Sequence, residues 1–136
     1  MQSPRKPETE AQYQTFKKQK QSAGADLAAF NLAEETVVRE FTHWLIIKNR
    51  FPYDNMTSVN DMLVPKRAFA DYYTASNEER EEYHEIIKQL VAEDYYDALV
   101  ENFPRSKSVT RHNHVHLVRW QYTDETGKNK SESWPR

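Results

Sequence analysis

The sequence contains no cysteine and only two glycines, Gly24 and Gly127, among its 136 residues. The lack of cysteine excludes disulfides, thiolate nucleophiles and cysteine-ligated zinc, and leaves histidines and carboxylates as metal ligands. The scarcity of glycine argues against a barrel built from many tight turns. No apolar run approaches the roughly 18 residues of a membrane span, and the N-terminus lacks the apolar core of a signal peptide. These absences predict a cytoplasmic protein with no membrane partner.

An excess of charge of one sign is also missing. The chain has 19 lysines and arginines against 21 aspartates and glutamates, which gives a formal net charge of −2. A protein that wraps nucleic acid neutralises phosphates with a basic surface, so the overall charge gives no strong case for a nucleic-acid partner. A local site for a single phosphate group stays open.

The sequence does contain enough apolar residues for one folded domain. Hydrophobic residues make up 38% of the chain and aromatic residues 12%, and this length is ordinary for a single domain with its own core. We interpret residues 1–24, which are rich in Gln, Lys, Glu and Ser, as a polar leader that is mobile or partly helical. Residues 25–123 are expected to form the domain, and residues 124–136 a C-terminal turn and tail.

The pattern within the domain predicts several strands and one main helix. Residues 43–49 and 60–65 are apolar runs bounded by turn residues, and they predict two strands that pair antiparallel. Ser76 and Glu79 have the spacing of a capping box, and the apolar stripe that follows predicts an amphipathic helix over residues 77 to about 94. We also expect a short helix near residues 26–35, a strand or helix continuation at 95–102, and a strand at 109–122.

Three of the five histidines, His112, His114 and His116, occupy alternate positions. Alternate residues of a strand point to the same face, so a strand here would present a row of imidazoles. Such a row fits a metal site, a nucleophile that attacks phosphorus, a nucleotide-binding site without turnover, or a polar strand face without chemistry. Scarce glycine and the lack of a further downstream histidine weaken the metal site, and the other interpretations stay open on the residues alone.

The string His112-Asn113-His114-Val115-His116-Leu117-Val118 resembles the signature of the histidine triad (HIT) family, in which histidines alternate with apolar residues. Upstream, residues 49–54 followed by 62–67 resemble the strand-turn-strand of that family, and the capped helix lies between them and the histidines. The resemblance covers residues 26–120. It implies an α+β, HIT-like fold with an antiparallel sheet of about five strands, one main amphipathic helix and a short N-terminal helix, in a protein that is usually a homodimer.

The resemblance also implies a function and a set of site residues. HIT proteins hydrolyse or transfer nucleoside monophosphates, by a chemistry that requires no metal or other cofactor. By match to the motif, His114 is the nucleophile that takes the nucleotidyl group, while His112 and His116 orient it and contact the α-phosphate. Three further positions match substrate-binding residues of the family: Asn49, Asn102 and Ser108, the last one residue further upstream than usual.

Three positions depart from the family pattern. Asn113 stands where the motif has an apolar residue, and Asn60 and Ala68 stand where the family commonly has histidines. A histidine at position 60 would support the triad from behind, and losing such support costs about one or two orders of magnitude in rate. The alternative to an enzyme is therefore a nucleotide-binding protein of the same fold with weak or no turnover.

Overall fold

The described part of the chain, residues 3–24, 29–107 and 109–121 of a computed structural model, forms five strands and two α-helices. The strands are β1 (Val37–Glu40), β2 (Trp44–Lys48), β3 (Thr57–Pro65), β4 (Ala98–Val100) and β5 (Val115–Trp120), and the helices are α1 (Pro7–Ser22) and α2 (Asn77–Glu93). All strands pair antiparallel in one sheet of order β1-β2-β3-β5-β4. The predicted α+β fold with a sheet of about five antiparallel strands is confirmed.

Strand β3 is the centre of the sheet. It pairs with β2 from Trp44 opposite Pro65 to Lys48 opposite Asp61, as the two apolar runs predict. It begins at Thr57, three residues before the predicted start, and its other edge pairs with β5, where Met62 lies opposite His116. This register places the histidine motif beside the middle of the sheet.

The two faces of the sheet pack against different parts of the chain, because alternate side chains point to opposite sides. On one face, the rings and branched side chains of Trp44, Ile46 and Leu63 pack with Ile86 and Leu90 of helix α2. On the other face, a smaller cluster contains Leu45, Ile47, Met62 and Val64, partly covered by Phe30 and Leu32. Helix α2 thus closes one face, and the second face is left for a site.

Helix α2 begins and ends as its sequence predicts. The Ser76 hydroxyl accepts from the Glu79 backbone N–H at 3.1 Å, and the Glu79 carboxylate accepts from the Ser76 N–H at 2.7 Å, which completes the capping box. The Arg67 guanidinium donates to the same carboxylate at 2.7 Å and holds the pKa of Glu79 below its usual value despite partial burial. The helix ends at Asp94, whose φ of 55° is left-handed. These contacts fix α2 against the end of β3.

The N-terminal leader, interpreted as mobile or partly helical, is mostly helical. Residues 7–22 form a continuous helix of 16 residues. The turn before β3 holds the start of this helix. Asn55 donates to the carbonyls of Ser3 and Arg5, which precede the helix. Asp54 accepts from the Lys6 N–H and from the Thr9 hydroxyl in the first helical turn. Helix α1 is therefore attached to the domain through the turn before β3. The division at residues 24 and 25 stays a prediction.

Three further expectations are corrected or fall outside the described residues. The short helix predicted near residues 26–35 is, over its described part, a single 3-10 turn at Leu32–Glu34. The histidine strand begins at Val115 rather than near residue 109, so His112 and His114 precede it. Ser108 and the predicted tail at 124–136 lie outside the described residues. Within the residues that are described, neither α-helix is long and apolar enough to cross a membrane.

Candidate active site

His114 lies just before β5, buried to 3% exposure, and its tautomer follows from one hydrogen bond. Its Nδ1 lies 3.1 Å from the backbone oxygen of His112. A carbonyl oxygen only accepts, so Nδ1 must carry the proton and donate. In the neutral ring this leaves the lone pair on Nε2, and His114 lines a cavity next to the sheet. A lone pair on Nε2 is what a nucleophilic histidine needs.

His116 has the opposite tautomer. The backbone N–H of Tyr53 donates to Asn60 at 3.0 Å, which identifies that atom as Oδ1 and the other as the NH₂ group. The NH₂ group lies 3.1 Å from Nδ1 of His116 and can only donate, so Nδ1 is the acceptor and Nε2 carries the proton. Nε2 is buried and has no hydrogen-bond partner in the structure. An unpartnered buried donor beside His114 is suited to an oxygen of a bound molecule.

His112 is not among the residues that line the cavity of His114, and both of its ring nitrogens are engaged by the protein. Nε2 donates to the backbone oxygen of Pro65 at 2.7 Å, and Nδ1 accepts from the Phe30 N–H at 3.2 Å. The ring of Phe30 also packs edge-on against His112 and His114, with centroids 5.2 and 5.3 Å away. His112 therefore has no free ring nitrogen for the phosphate contact that the resemblance implies, and its other implied role, to orient His114, stays a prediction.

All three rings are neutral at pH 7. Burial lowers the pKa of His112 and of His114 below the ordinary value, and it lowers the pKa of His116 to about 3. Desolvation is the dominant cause, since moving a charged imidazolium away from water is costly. With the Nδ1 of His116 bound to Asn60 and both nitrogens of His112 occupied, few ring nitrogens remain for a metal. Across residues 3–24, 29–107 and 109–121, no group of three histidines or carboxylates is spaced to hold one.

The cavity beside His114 and His116 has a volume of about 590 Å³. Helix α1 and the turn after β2 supply aromatic walls, where Phe51 packs against Tyr13 and Phe16 with ring centroids 5.4 and 5.2 Å apart. Its remaining lining residues are Arg5, Lys20, Ala29, Phe30, Asn31, Glu34, Glu35, Asn49, Arg50, Tyr53 and Met62. A volume of this size with aromatic walls and a few polar groups matches a site for a small organic molecule.

The other predicted site residues are placed at different points. Asn49 lines the main cavity, where it donates to Asn60 Oδ1 at 3.1 Å and accepts from the Phe51 N–H at 3.0 Å. Asn102 lines a second cavity of about 420 Å³ and donates to the Tyr53 hydroxyl at 3.2 Å. The two asparagines therefore line different cavities, and Tyr53 lines both.

The positions that depart from the HIT pattern also have defined places. Asn60 takes over the support of the histidines, through its bond to His116. Asn113 is 1% exposed, and its backbone N–H donates to the Phe69 carbonyl at 2.6 Å. Ala68 is exposed to solvent. Sequence reasoning missed Tyr53, whose ring stacks on His116 at 4.6 Å, and Arg5, and no local signal marks either of them.

Comparison with known proteins relates this geometry to a fold. No protein-family model and no curated protein sequence matches the chain. Among solved structures, "Hit Like Protein" is 18% identical with a TM-score of 0.51, over 65% of this chain and 88% of that one. The crystal structure of a HIT family hydrolase from Legionella pneumophila Philadelphia 1 is 21% identical with a TM-score of 0.50, over 69% of this chain and 88% of that one. The chain has a HIT-like fold.

Proposed function

We propose that this protein is a nucleotide hydrolase or nucleotidyl transferase that acts at the α-phosphate through a covalent nucleotidyl-His114 intermediate. The observation that carries the proposal is the pairing of opposite tautomers. His114 has its lone pair on Nε2, and the neighbouring His116 has its proton on Nε2 with no partner. A nucleophile and a hydrogen-bond donor thus stand side by side, 5.5 Å between ring centroids, as attack on a phosphoryl group requires.

In the first step, the Nε2 lone pair of His114 attacks the α-phosphorus. A P–N bond forms while the bond from phosphorus to the leaving group breaks, and the bonding electrons leave with that group. His114 becomes positively charged, and the backbone oxygen of His112 that accepts from its Nδ1–H stabilises this charge. The Nε2–H of His116 donates to a phosphoryl oxygen as negative charge develops there.

In the second step, water attacks the same phosphorus and the P–N bond breaks. The nucleoside monophosphate is released, the proton lost by the water leaves the site, and His114 returns to its starting tautomer. A transferase would use another hydroxyl or amine in place of water. Substrate nucleoside would lie between the aromatic walls of the main cavity, with Asn49 near the sugar. Asn102 and Ser108 remain proposed contacts on the side of the leaving group.

The test is to incubate the protein with nucleoside 5′-phosphoramidates and dinucleoside tetraphosphates carrying adenine or guanine. We expect nucleoside monophosphate as the product and, after rapid quenching, a nucleotidyl adduct on His114 detected by mass spectrometry. His114→Ala should abolish the product and leave nucleotide affinity within about tenfold, because the lost group acts chiefly in the transition state. His84→Ala is the matched control, since His84 is exposed on α2 and should leave turnover unchanged.

Two results would decide against this function. Equal turnover by the wild type and His114→Ala would show that His114 is not the nucleophile. Nucleotide binding without any turnover or adduct would instead identify a nucleotide-binding protein of the same fold. That alternative arises because Asn60 stands where the family commonly has a supporting histidine.

A further inference from the structure

The N-terminal segment brings a nearly buried arginine to the wall of the site. The Arg5 side chain is only 11% exposed. Its Nε donates to the Phe51 carbonyl at 2.6 Å, and its nearest carboxylate, Glu10, lies 3.5 Å from Nη1, at the limit of a hydrogen bond. The Arg5 Cζ also lies 4.3 Å from the centroid of the Tyr13 ring. A guanidinium has five N–H donors and stays charged in proteins, so a bound anion would give the remaining donors of Arg5 a partner.

The backbone on both sides of Arg5 is held in place. The Asn55 side chain donates to the backbone oxygens of Ser3 and Arg5 at 2.9 and 2.8 Å, and the Asn55 N–H donates to Pro4 at 3.0 Å. Asp54 accepts from the Lys6 N–H at 2.7 Å. With the backbone fixed at four points, Arg5 is a positioned residue rather than a side chain of a loose end.

Arg5 also stands between the two cavities. It lines the main cavity with His114 and His116, and it lines the second cavity with Asn102. The ring of Tyr53 contacts both Arg5 and His116: its centroid lies 5.1 Å from the Arg5 Cζ and 4.6 Å from the centroid of the His116 ring. A molecule that spans both cavities would pass the phosphate site and Arg5 in turn.

The second cavity suits an organic group that carries no positive charge. Its walls include Met56, Val100, Val118 and Trp120, and no carboxylate is among the described residues that line it. Arg5 is the only charged side chain in that wall, within the described ranges. A cationic amine would therefore meet a positive charge and no counter-ion, whereas an anionic group would meet a planar fork of donors.

On the basis of the proposed function, we propose that Arg5 binds the phosphate next to the α-phosphate on the leaving side, so that the enzyme prefers phosphoanhydride substrates to phosphoramidates. The organic group beyond that phosphate occupies the second cavity. When His114 attacks, the P–O bond of the anhydride breaks and the electron pair stays on the leaving phosphate oxygen, whose negative charge Arg5 stabilises. An amine leaving group needs a proton instead, which a guanidinium does not supply.

The test compares two substrates across matched variants. Initial rates are measured with a dinucleoside tetraphosphate and with a nucleoside 5′-phosphoramidate of the same base. Arg5→Gln is expected to lower kcat/KM for the tetraphosphate by about tenfold to hundredfold, the effect of losing a hydrogen bond to a charged group, and to change the phosphoramidate value by less than about threefold. Arg5→Lys should restore part of the loss, because it returns the charge without the planar fork.

Thr9→Ala is the control for displacement of helix α1, since it removes a bond to Asp54 on the same segment without changing charge. It should leave both substrates within about threefold of the wild type. Three results would overturn the role of Arg5 and leave the proposed function standing. They are an equal loss of kcat/KM for both substrates in Arg5→Gln, the same selective loss of kcat/KM in Thr9→Ala, and a wild-type enzyme that turns over only the phosphoramidate. No turnover of either substrate by the wild type would overturn both.

Discussion

Replacing Asn60 by aspartate tests the hydrogen-bond directions on which the site depends. The substitution keeps the size of the side chain and the oxygen that accepts from Tyr53 and Asn49, and it replaces the NH₂ group with a second oxygen. That oxygen cannot donate to His116 Nδ1, so Nδ1 must take up a proton to keep the contact. The ring of His116 would then lose its assigned tautomer, either by moving its proton from Nε2 to Nδ1 or by becoming doubly protonated.

The cost to stability follows from the contacts. The NH₂ group of Asn60 donates to His116 Nδ1 and to the backbone oxygen of Asp61, both at 3.1 Å. Losing the hydrogen bond to the Asp61 carbonyl costs about 1 kcal/mol, and facing that carbonyl with a second acceptor adds a desolvation cost of about 1–2 kcal/mol. We expect the free energy of unfolding to fall by about 2–3 kcal/mol, measured by urea denaturation.

The decisive measurement is nitrogen-15 NMR of the histidine rings, which distinguishes protonated from unprotonated ring nitrogens. In the wild type at pH 7, His116 should show a protonated Nε2 and an unprotonated Nδ1, and Asn60→Asp should show a protonated Nδ1. His84, exposed on α2, serves as the internal control and should not change. If His116 has the same protonation pattern in both proteins, the assignment of its tautomer through Asn60 is refuted. If the proposed function holds and the proton moves, kcat should fall about a hundredfold with the loss of the Nε2–H donor.

Three further predictions concern stability and the N-terminal helix. Burial lowers the pKa of His116 to about 3 from an ordinary value near 6.5. The contribution of neutral His116 to the free energy of unfolding is therefore complete above pH 6.5 and is lost as the pH falls toward 3, at up to about 1.4 kcal/mol per pH unit. In urea denaturation from pH 4 to 7, the free energy of unfolding of His116→Asn should depend less on pH than that of the wild type. Asp54→Ala removes the acceptor for the Lys6 N–H and the Thr9 hydroxyl, so amides of residues 7–22 should exchange with solvent about tenfold faster while those of β3 keep their wild-type rates. Ser76→Ala removes one half of the capping box and should lower the free energy of unfolding by about 1 kcal/mol in the same urea assay; an unchanged midpoint would show that the cap does not stabilise α2.

The elements that sequence predicts well are those decided by near neighbours. The capping box at Ser76 depends on residues three positions apart, and the pairing of β2 with β3 depends on two apolar runs joined by a short turn. The start of β5 is different, since His112 bonds to Pro65 and the Asn113 N–H bonds to Phe69 instead of continuing the ladder. Those contacts span more than forty residues, and a pattern of alternate histidines contains no sign of them.

In the candidate site, too, the sequence predicts the residues of the local motif but not the contacts between distant residues. The three histidines are visible in the sequence as a motif, and Asn60 is visible as a departure from the family pattern. The sequence does not reveal that Asn60 donates to His116, because this donation depends on the Tyr53 N–H, which fixes the orientation of the Asn60 amide. Arg5 is hidden for another reason: a polar segment with few apolar residues predicts a mobile tail, and α1 is held by polar contacts that composition does not reveal.

Helix α1 buries none of its residues completely, although it forms one wall of the main cavity. A wall attached by polar bonds and half-buried rings opens at a lower free energy than the strands on the other side. We expect the residence time of a molecule in the cavity to depend on how readily this helix detaches from the domain. Two proteins with identical histidines could differ widely in how long they retain a product, through nothing more than the turn at Asp54 and Asn55.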